Sequence, residues 1–215
     1  MKVEIWSDVM CPFCYIGKRK FEIALAQFEG KNEVEVEWKS FQLNPNLITN
    51  TQKSTNEYLA EIKGWTKAYT EQMSQHVANI AKQVGLDYHL DKAVVANSFD
   101  AHRFSHLAKK HGLQNEAEEA LFKAYFTEDK NTDDKDVLVQ LGLDIGLNAH
   151  EIEGMLSGQN FTMDVNADIL EAQSLGINGV PFFLFESKYA ISGAQDPSVF
   201  LSALRSVHRE MRPIS

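Results

Sequence analysis

Cysteine is nearly absent from this chain: among 215 residues there are two, and both lie in one tetrapeptide, Cys11-Pro12-Phe13-Cys14. The scarcity disfavours a zinc site, because zinc generally takes four ligands and no second C-x-x-C or cluster of cysteine and histidine follows. A passive structural bridge is poorly served too, since so short a loop gains little by constraining the unfolded chain. Positive charge is also lacking. The net charge is −9, with acidic residues spread along the chain, which argues against nucleic acid as partner and mainly favours solubility. No stretch approaches the length of a membrane span, so no membrane partner is expected. The N-terminus enters a predicted strand at Val3 without a basic region, an apolar core segment or a cleavage site, and the chain therefore reads as cytoplasmic, where the pair should often be reduced. Internal repeats, low-complexity segments and long flexible linkers are missing as well. What remains is ordinary globular composition, 44% apolar and 24% charged, sufficient for one compact unit with an inserted subdomain, as monomer or homodimer.

The two cysteines sit where chemistry is favoured. Val3 to Ser7 reads as a short strand, and Pro12 to about Phe28 as a helix with Tyr15, Phe21, Leu25 and Phe28 on its apolar side. Strand, loop, C-x-x-C and helix in that order point to thiol redox chemistry more than to metal binding. The first turn of a helix leaves backbone N–H groups unpaired, and their dipoles favour a thiolate placed there. Cys11 is the expected nucleophile. Pro12 suits the first helical position because it has no N–H to strand. Cys14, one turn further in, is the expected resolving thiol and the more buried of the two.

Further along, Val34, Val36 and Trp38 alternate with Glu33, Glu35 and Glu37, the period of a strand with one buried and one solvated face, ending near Phe41. Asn44-Pro45-Asn46 breaks the pattern, and the chain is then expected to be helical for more than a hundred residues. Ser54 and Glu57 form a capping-box pattern opening one long helix, or two broken near Gly64. Further helices are predicted around 94–111, 116–126, 134–145, 149–156 and 163–175. Strands return at 180–185 and 189–192 as a hairpin, and Asp196-Pro197 starts a last helix. The order β, α, β, helical block, α, β, β, α has the outer order of a thioredoxin fold. It divides into residues 1–45 with 163–215, and an inserted helical block over 46–162.

The segment from Ser7 to Lys18 closely resembles the opening of DsbA-like disulfide oxidoreductases of the FrnE branch. Gly179-Val180-Pro181-Phe182-Phe183 resembles the loop that in this superfamily carries a cis-proline beside the redox pair. The segments from Asn97 to Arg103 and from Ile191 to Gln195 resemble a helix and the C-terminal strand and turn of the same branch. The resemblance implies an α/β thioredoxin-like fold with a large all-helical insertion, and a thiol:disulfide oxidoreductase acting on protein or small-molecule disulfides. No metal or organic cofactor is implied, although glutathione as co-substrate, or a reductase, must reset the pair. It further implies that Pro181 is cis, that Val180 offers backbone groups to a substrate chain beside Cys11, and that Pro181, having no N–H, limits polar contact at the sulfur. Because the insertion covers the active site in this family, Asn97 and His102 are candidates for the substrate groove, against simple interhelical hydrogen bonding. Trp6 is either part of an apolar rim around Cys11 or a core residue.

Strongly oxidising DsbA proteins resemble this chain but place a histidine where Phe13 stands, so Phe13 implies a weaker oxidant. No buried carboxylate beneath the pair is assigned: Glu4 and Asp8 are candidates, each expected at the surface. His102 and His106, four apart on one helix face, do not make a metal site by themselves, and His106 is expected at the surface or in packing. Two rival functions remain. 2-Hydroxychromene-2-carboxylate isomerases and kappa-class glutathione transferases resemble this architecture but typically carry a serine where Cys11 stands. A peptide-binding holdase is the other, and it would survive loss of both thiols.

Overall fold

The computed structural model describes residues 1–211. A four-stranded mixed sheet in the order β2-β1-β5-β6 is built from β1 (Lys2–Ser7), β2 (Glu35–Ser40), β5 (Phe182–Phe185) and β6 (Tyr189–Ser192). Strand β1 lies inside it, parallel to β2 and antiparallel to β5, and every residue from Val3 to Ser7 is buried. The two-residue period of a strand then sorts its side chains. Val3 and Ile5 join the core that contains Phe21, Phe183, Phe185 and Phe200, beneath α1 (Pro12–Ala26) and α9 (Pro197–Met211). Trp6 faces the other way, packing with Ala172 and Ile177 against α8 (Thr162–Ser174). Phe183 and Phe200 meet edge to face with centroids 4.7 Å apart, and Phe21 lies 5.7 Å from Phe183. Each such buried ring contributes about 1.5–3 kcal/mol, enough together to hold α1 rigidly against the sheet and so aim its first turn.

Between the halves of the sheet runs the insertion: β3 (Asn50–Ser54), α2 (Thr55–Lys63), α3 (Lys67–Lys82), β4 (Val94–Val95), α4 (Phe99–Lys110), α5 (Gln114–Thr127), α6 (Lys135–Asp144) and α7 (Ala149–Ser157). Its centre is α4, buried at every position from Ala101 to Ala108 and packed on α5, α7 and α8. The architecture is thioredoxin-like with a helical insertion.

Of the two readings for residues 55–84, the structure has two helices. The Ser54–Glu57 capping box opens α2, Gly64 closes it at φ +65°, a left-handed conformation that favours glycine, and Thr66 caps α3. The expectation of an all-helical block after Asn46 is corrected by the small β3–β4 pair, with Asn50 opposite Val95 and Ser54 opposite Val94. Helix α4 begins at Phe99 rather than Val94 because the β-branched Val94-Val95 pairs with β3. The Asn97 side chain then takes the Phe99 N–H at 2.8 Å, turning the chain into the helix.

The acidic face expected for β2 is not freely solvated. Glu37 is ion-paired with Lys2 at 2.6 Å, Lys39 at 3.4 Å and Lys109. Burial would raise its pKa, but the lysines hold it at about 2. At the outer edge of β2 side chains stand in for a further strand. Gln114 accepts from the Trp38 N–H at 3.1 Å and donates to the Trp38 carbonyl at 2.9 Å, while Asp168 accepts from the Ser40 N–H at 2.9 Å.

Candidate active site

The loop from β1 delivers Cys11 to the N-terminus of α1. Cys11 is the capping residue, with extended backbone (φ −86°, ψ 111°), and Pro12 is the first helical residue. Two backbone bonds fix the loop: Cys11 N–H to Asp8 carbonyl at 2.9 Å, and Cys14 N–H to Cys11 carbonyl at 3.0 Å. The peptide bond between Val180 and Pro181 is cis. The Cys11 thiol donates to the Val180 carbonyl at 3.4 Å, so the loop before β5 lies directly over the sulfur. Gly17 makes this approach possible. A Cβ at that position would stand 2.9 Å from Pro181 Cγ and 3.4 Å from Phe183 Cζ.

Both thiols are free, Cys11 at 5% exposure and Cys14 at 0%. Burial pushes the Cys14 thiol well above the ordinary thiol range, and the neighbouring Cys11 sulfur pushes the same way. The Ser7 hydroxyl and the Asp8 backbone N–H pull against them. Phe13 is 40% exposed at the mouth, an apolar ring with no charge for either sulfur. The insertion closes over the dipeptide through Tyr88, whose hydroxyl donates to the Pro12 carbonyl at 2.7 Å and whose ring stacks on Phe126 at 4.7 Å. Burial, then the two nearby sulfurs, raise the Tyr88 pKa and keep it a donor. Tyr88 was invisible to pattern reading because it lies in an irregular link after Gly85. Ser7 was not singled out either; the signal that could have found it is its alternation with Val3 and Ile5, which places it on their face of the strand.

Asp8 and Glu4 are both buried, contrary to the expectation of surface positions. Glu4 shares the α8 face with Trp6, away from the cysteines, and is covered by Lys2 at 2.9 Å. Asp8 belongs to the cysteine loop. Its carboxylate accepts from the Leu43 N–H at 2.7 Å and the Met10 N–H at 3.3 Å, and lies 3.6 Å from His102 Nε2. Burial alone would lower the His102 pKa, but Asp8 outweighs it and the net direction is up. His102 is also hydrogen-bonded to the Phe41 carbonyl at 3.0 Å. It is 2% exposed and ties α4 to the cysteine loop rather than lining a groove. Asn97 likewise serves the fold, donating to the Leu47 carbonyl at 2.7 Å and accepting from Gln42 at 3.2 Å. Trp6 is fully buried under α8, its indole N–H on the Asp168 carbonyl at 3.1 Å, and is not part of a rim at Cys11. His106 is internal too, bonded to Ser40 at 3.1 Å and Asp168 at 3.0 Å.

Comparison with known proteins follows the same outline. The uncharacterized protein YwbO of Bacillus subtilis (strain 168) is 30% identical over 205 residues, covering 94% of each chain. The crystal structure of a probable DsbA oxidoreductase, SCO1869 of Streptomyces coelicolor, is 34% identical with a TM-score of 0.93, over 100% of this chain and 93% of that one. The cytosolic disulfide reductase DsbM of Pseudomonas aeruginosa shares the fold at 17% identity and a TM-score of 0.70, over 98% of this chain and 100% of that one. The model of the DSBA-like thioredoxin domain matches residues 2–205, and the chain belongs to that family.

Proposed function

We propose that this protein is a thiol:disulfide oxidoreductase of reducing or isomerising character, or a weak oxidant, that uses Cys11 as nucleophile and Cys14 as resolving thiol. The observation that carries the reading is Cys11 at the cap of α1 with its sulfur on the Val180 carbonyl. A thiolate formed there meets the unpaired N–H groups of the first turn. The backbone at Val180 is placed to hold an extended substrate beside it, and Pro181 brings no N–H to compete. In the reducing direction the Cys11 thiolate attacks a substrate disulfide and forms a mixed disulfide. Cys14 then attacks the Cys11 sulfur, the Cys11–Cys14 bond closes, and the substrate leaves as thiol. Oxidation runs the same path backwards.

Phe13 supports the weak-oxidant side of this reading, because no side chain between the cysteines adds charge or a donor that would stabilise the reduced state. A cytoplasmic setting fits a reducing role. Among the described residues no helix is long and apolar enough to cross a membrane, and DsbM, of the same fold, is named as cytosolic. DsbM has also been solved with GSH, which supports glutathione as the co-substrate that resets the pair. Keeping Cys11 where the isomerases and kappa-class transferases typically carry serine favours redox turnover over that alternative, and the reading as a member of the FrnE branch rests on the resemblance of the Ser7–Lys18, Asn97–Arg103 and Ile191–Gln195 segments.

The test is trapping. Cys11→Ser is expected to abolish exchange with a disulfide substrate, while Cys14→Ser accumulates mixed disulfides at Cys11, located by mass spectrometry after digestion. A substrate found on Cys14, or turnover that survives loss of both thiols, would overturn the assignment.

A further inference from the structure

Cys14 poses a chemical problem that the pair alone does not solve. To resolve a mixed disulfide it must act as a thiolate, yet it is fully buried, and neither of the nearby carboxylates among the described residues is placed to serve it. Glu4 lies on the opposite face of the sheet with Trp6. The Asp8 carboxylate is taken by the Leu43 and Met10 amides and by His102. Tyr88, which also faces the two sulfurs, has its hydroxyl committed to the Pro12 carbonyl. Two polar groups do favour negative charge on the sulfur, the Asp8 backbone N–H and the Ser7 hydroxyl.

Ser7 is the last residue of β1, and its backbone is held on one side by pairing opposite Ser40 and by the Phe41 N–H on its carbonyl at 3.0 Å. Its side chain follows Val3 and Ile5 onto the α1 face, at the end of the strand where α1 begins. It is 2% exposed, and its hydroxyl is one of three buried side-chain atoms without a hydrogen-bond partner among the described residues. An orphaned buried hydroxyl is destabilising, so a position that keeps one calls for an explanation.

We propose that Ser7 is a third active-site residue whose hydroxyl donates a hydrogen bond to the Cys14 sulfur as its negative charge forms during resolution. The inference rests on the disulfide-exchange reading above. In the step concerned, Cys14 loses its proton and attacks the Cys11 sulfur. The Cys11–Cys14 bond forms and the bond from Cys11 to the substrate sulfur breaks. The departing sulfur takes the electron pair, and a proton equivalent to the one Cys14 released ends on it or in solvent. Ser7 keeps its own proton throughout. Its orphan state in the dithiol form is then a donor held ready for a charge that exists only in passing.

A chromogenic aryl disulfide separates the two steps in stopped flow. Its first thiol is released when Cys11 attacks, its second when Cys14 resolves. In the full-length protein, Ser7→Ala is expected to leave the first phase unchanged and to slow the second by about tenfold or more, as loss of a hydrogen bond to a charged group implies. The pH profile of that second phase should move to the alkaline side. Ser7→Thr, which keeps the hydroxyl, should restore much of the rate, and circular dichroism checks that both variants fold. A second phase of wild-type rate and pH profile in Ser7→Ala would overturn the proposal. So would equal slowing of both phases with Thr no better than Ala, the mark of a packing defect. Absence of both phases in the wild type would instead overturn the exchange reading beneath it.

Discussion

On the α1 side of the cysteine loop, Cys14 is packed among apolar groups with one orphaned hydroxyl beside it, whereas on the insertion side Asp8 is fully buried and holds two backbone amides and a histidine. The two carry opposite burdens. A group that must change charge during turnover is left with little support, because strong stabilisation of one state would halt the cycle. A group that must stay put has every oxygen occupied, because its work is to fix Met10, Leu43 and, through its own carbonyl, Cys11. Polar density in this molecule therefore marks the scaffold around the pair, and polar scarcity marks the reacting sulfur.

The sharpest way to break the comparison is to strip the dense side. His102→Leu leaves the Asp8 carboxylate buried without its cation, and removing one partner of a buried pair typically costs about 3–5 kcal/mol. Chemical denaturation should show a loss of that order. The pH dependence has a definite sign. Because the folded-state pKa of His102 lies above its ordinary 6.5, its stabilisation is complete below that value and fades as pH rises through the higher folded value. The gap between wild type and His102→Leu should therefore narrow with rising pH. A gap independent of pH would mean that His102 acts through packing and its bond to the Phe41 carbonyl rather than through charge.

A smaller effect is expected at Gly17, where the sparse side meets the loop carrying Val180. Alanine gains about 1 kcal/mol of helix propensity there, while overpacking against Pro181 costs about 1–3 kcal/mol. Net stability should fall by no more than about 2 kcal/mol. The exchange rate should suffer more, since the Val180 carbonyl is displaced from Cys11. Equal melting and equal exchange rates would show that the close approach is unimportant.

The smallest change is electrochemical. Phe13→His adds a charge or donor at the mouth of the pair, favours the reduced state, and should raise the reduction potential by some tens of millivolts, at about 30 mV per 1.4 kcal/mol. An unchanged potential in a folded variant would place control of the redox poise outside the dipeptide.

Much of the frame was legible because it repeats. Alternation exposed β2, three- and four-residue spacing exposed the helices, and Ser54, Glu57 and Gly64 marked ends that the structure places as expected. The cysteine loop was legible from chemistry, since two thiols at a strand-to-helix junction have few other uses. Polar burial was not. Glu4, Asp8, His102 and His106 look like surface or groove residues in one dimension, and the partners of His102 and His106 come only with the folding of α4 and α8 against the sheet and the cysteine loop. Tyr88 shares that fate. Its bond to Pro12 spans 76 residues and leaves no local trace. Val94-Val95 misled for the converse reason, as a short apolar run fits strand or helix until its partner at Asn50–Ser54 is known.

The central claim, a reversible dithiol pair without charged assistance at position 13, is tested most directly by equilibrating the protein in graded glutathione buffers and quantifying the Cys11–Cys14 disulfide by mass spectrometry. The account predicts a single two-electron transition at a potential clearly below the roughly −120 mV of a strongly oxidising DsbA, within the range of about −180 to −270 mV spanned by isomerase, glutaredoxin and thioredoxin pairs. A pair that never closes into a disulfide, or one that closes with a potential at or above that of the strong oxidant, would contradict it.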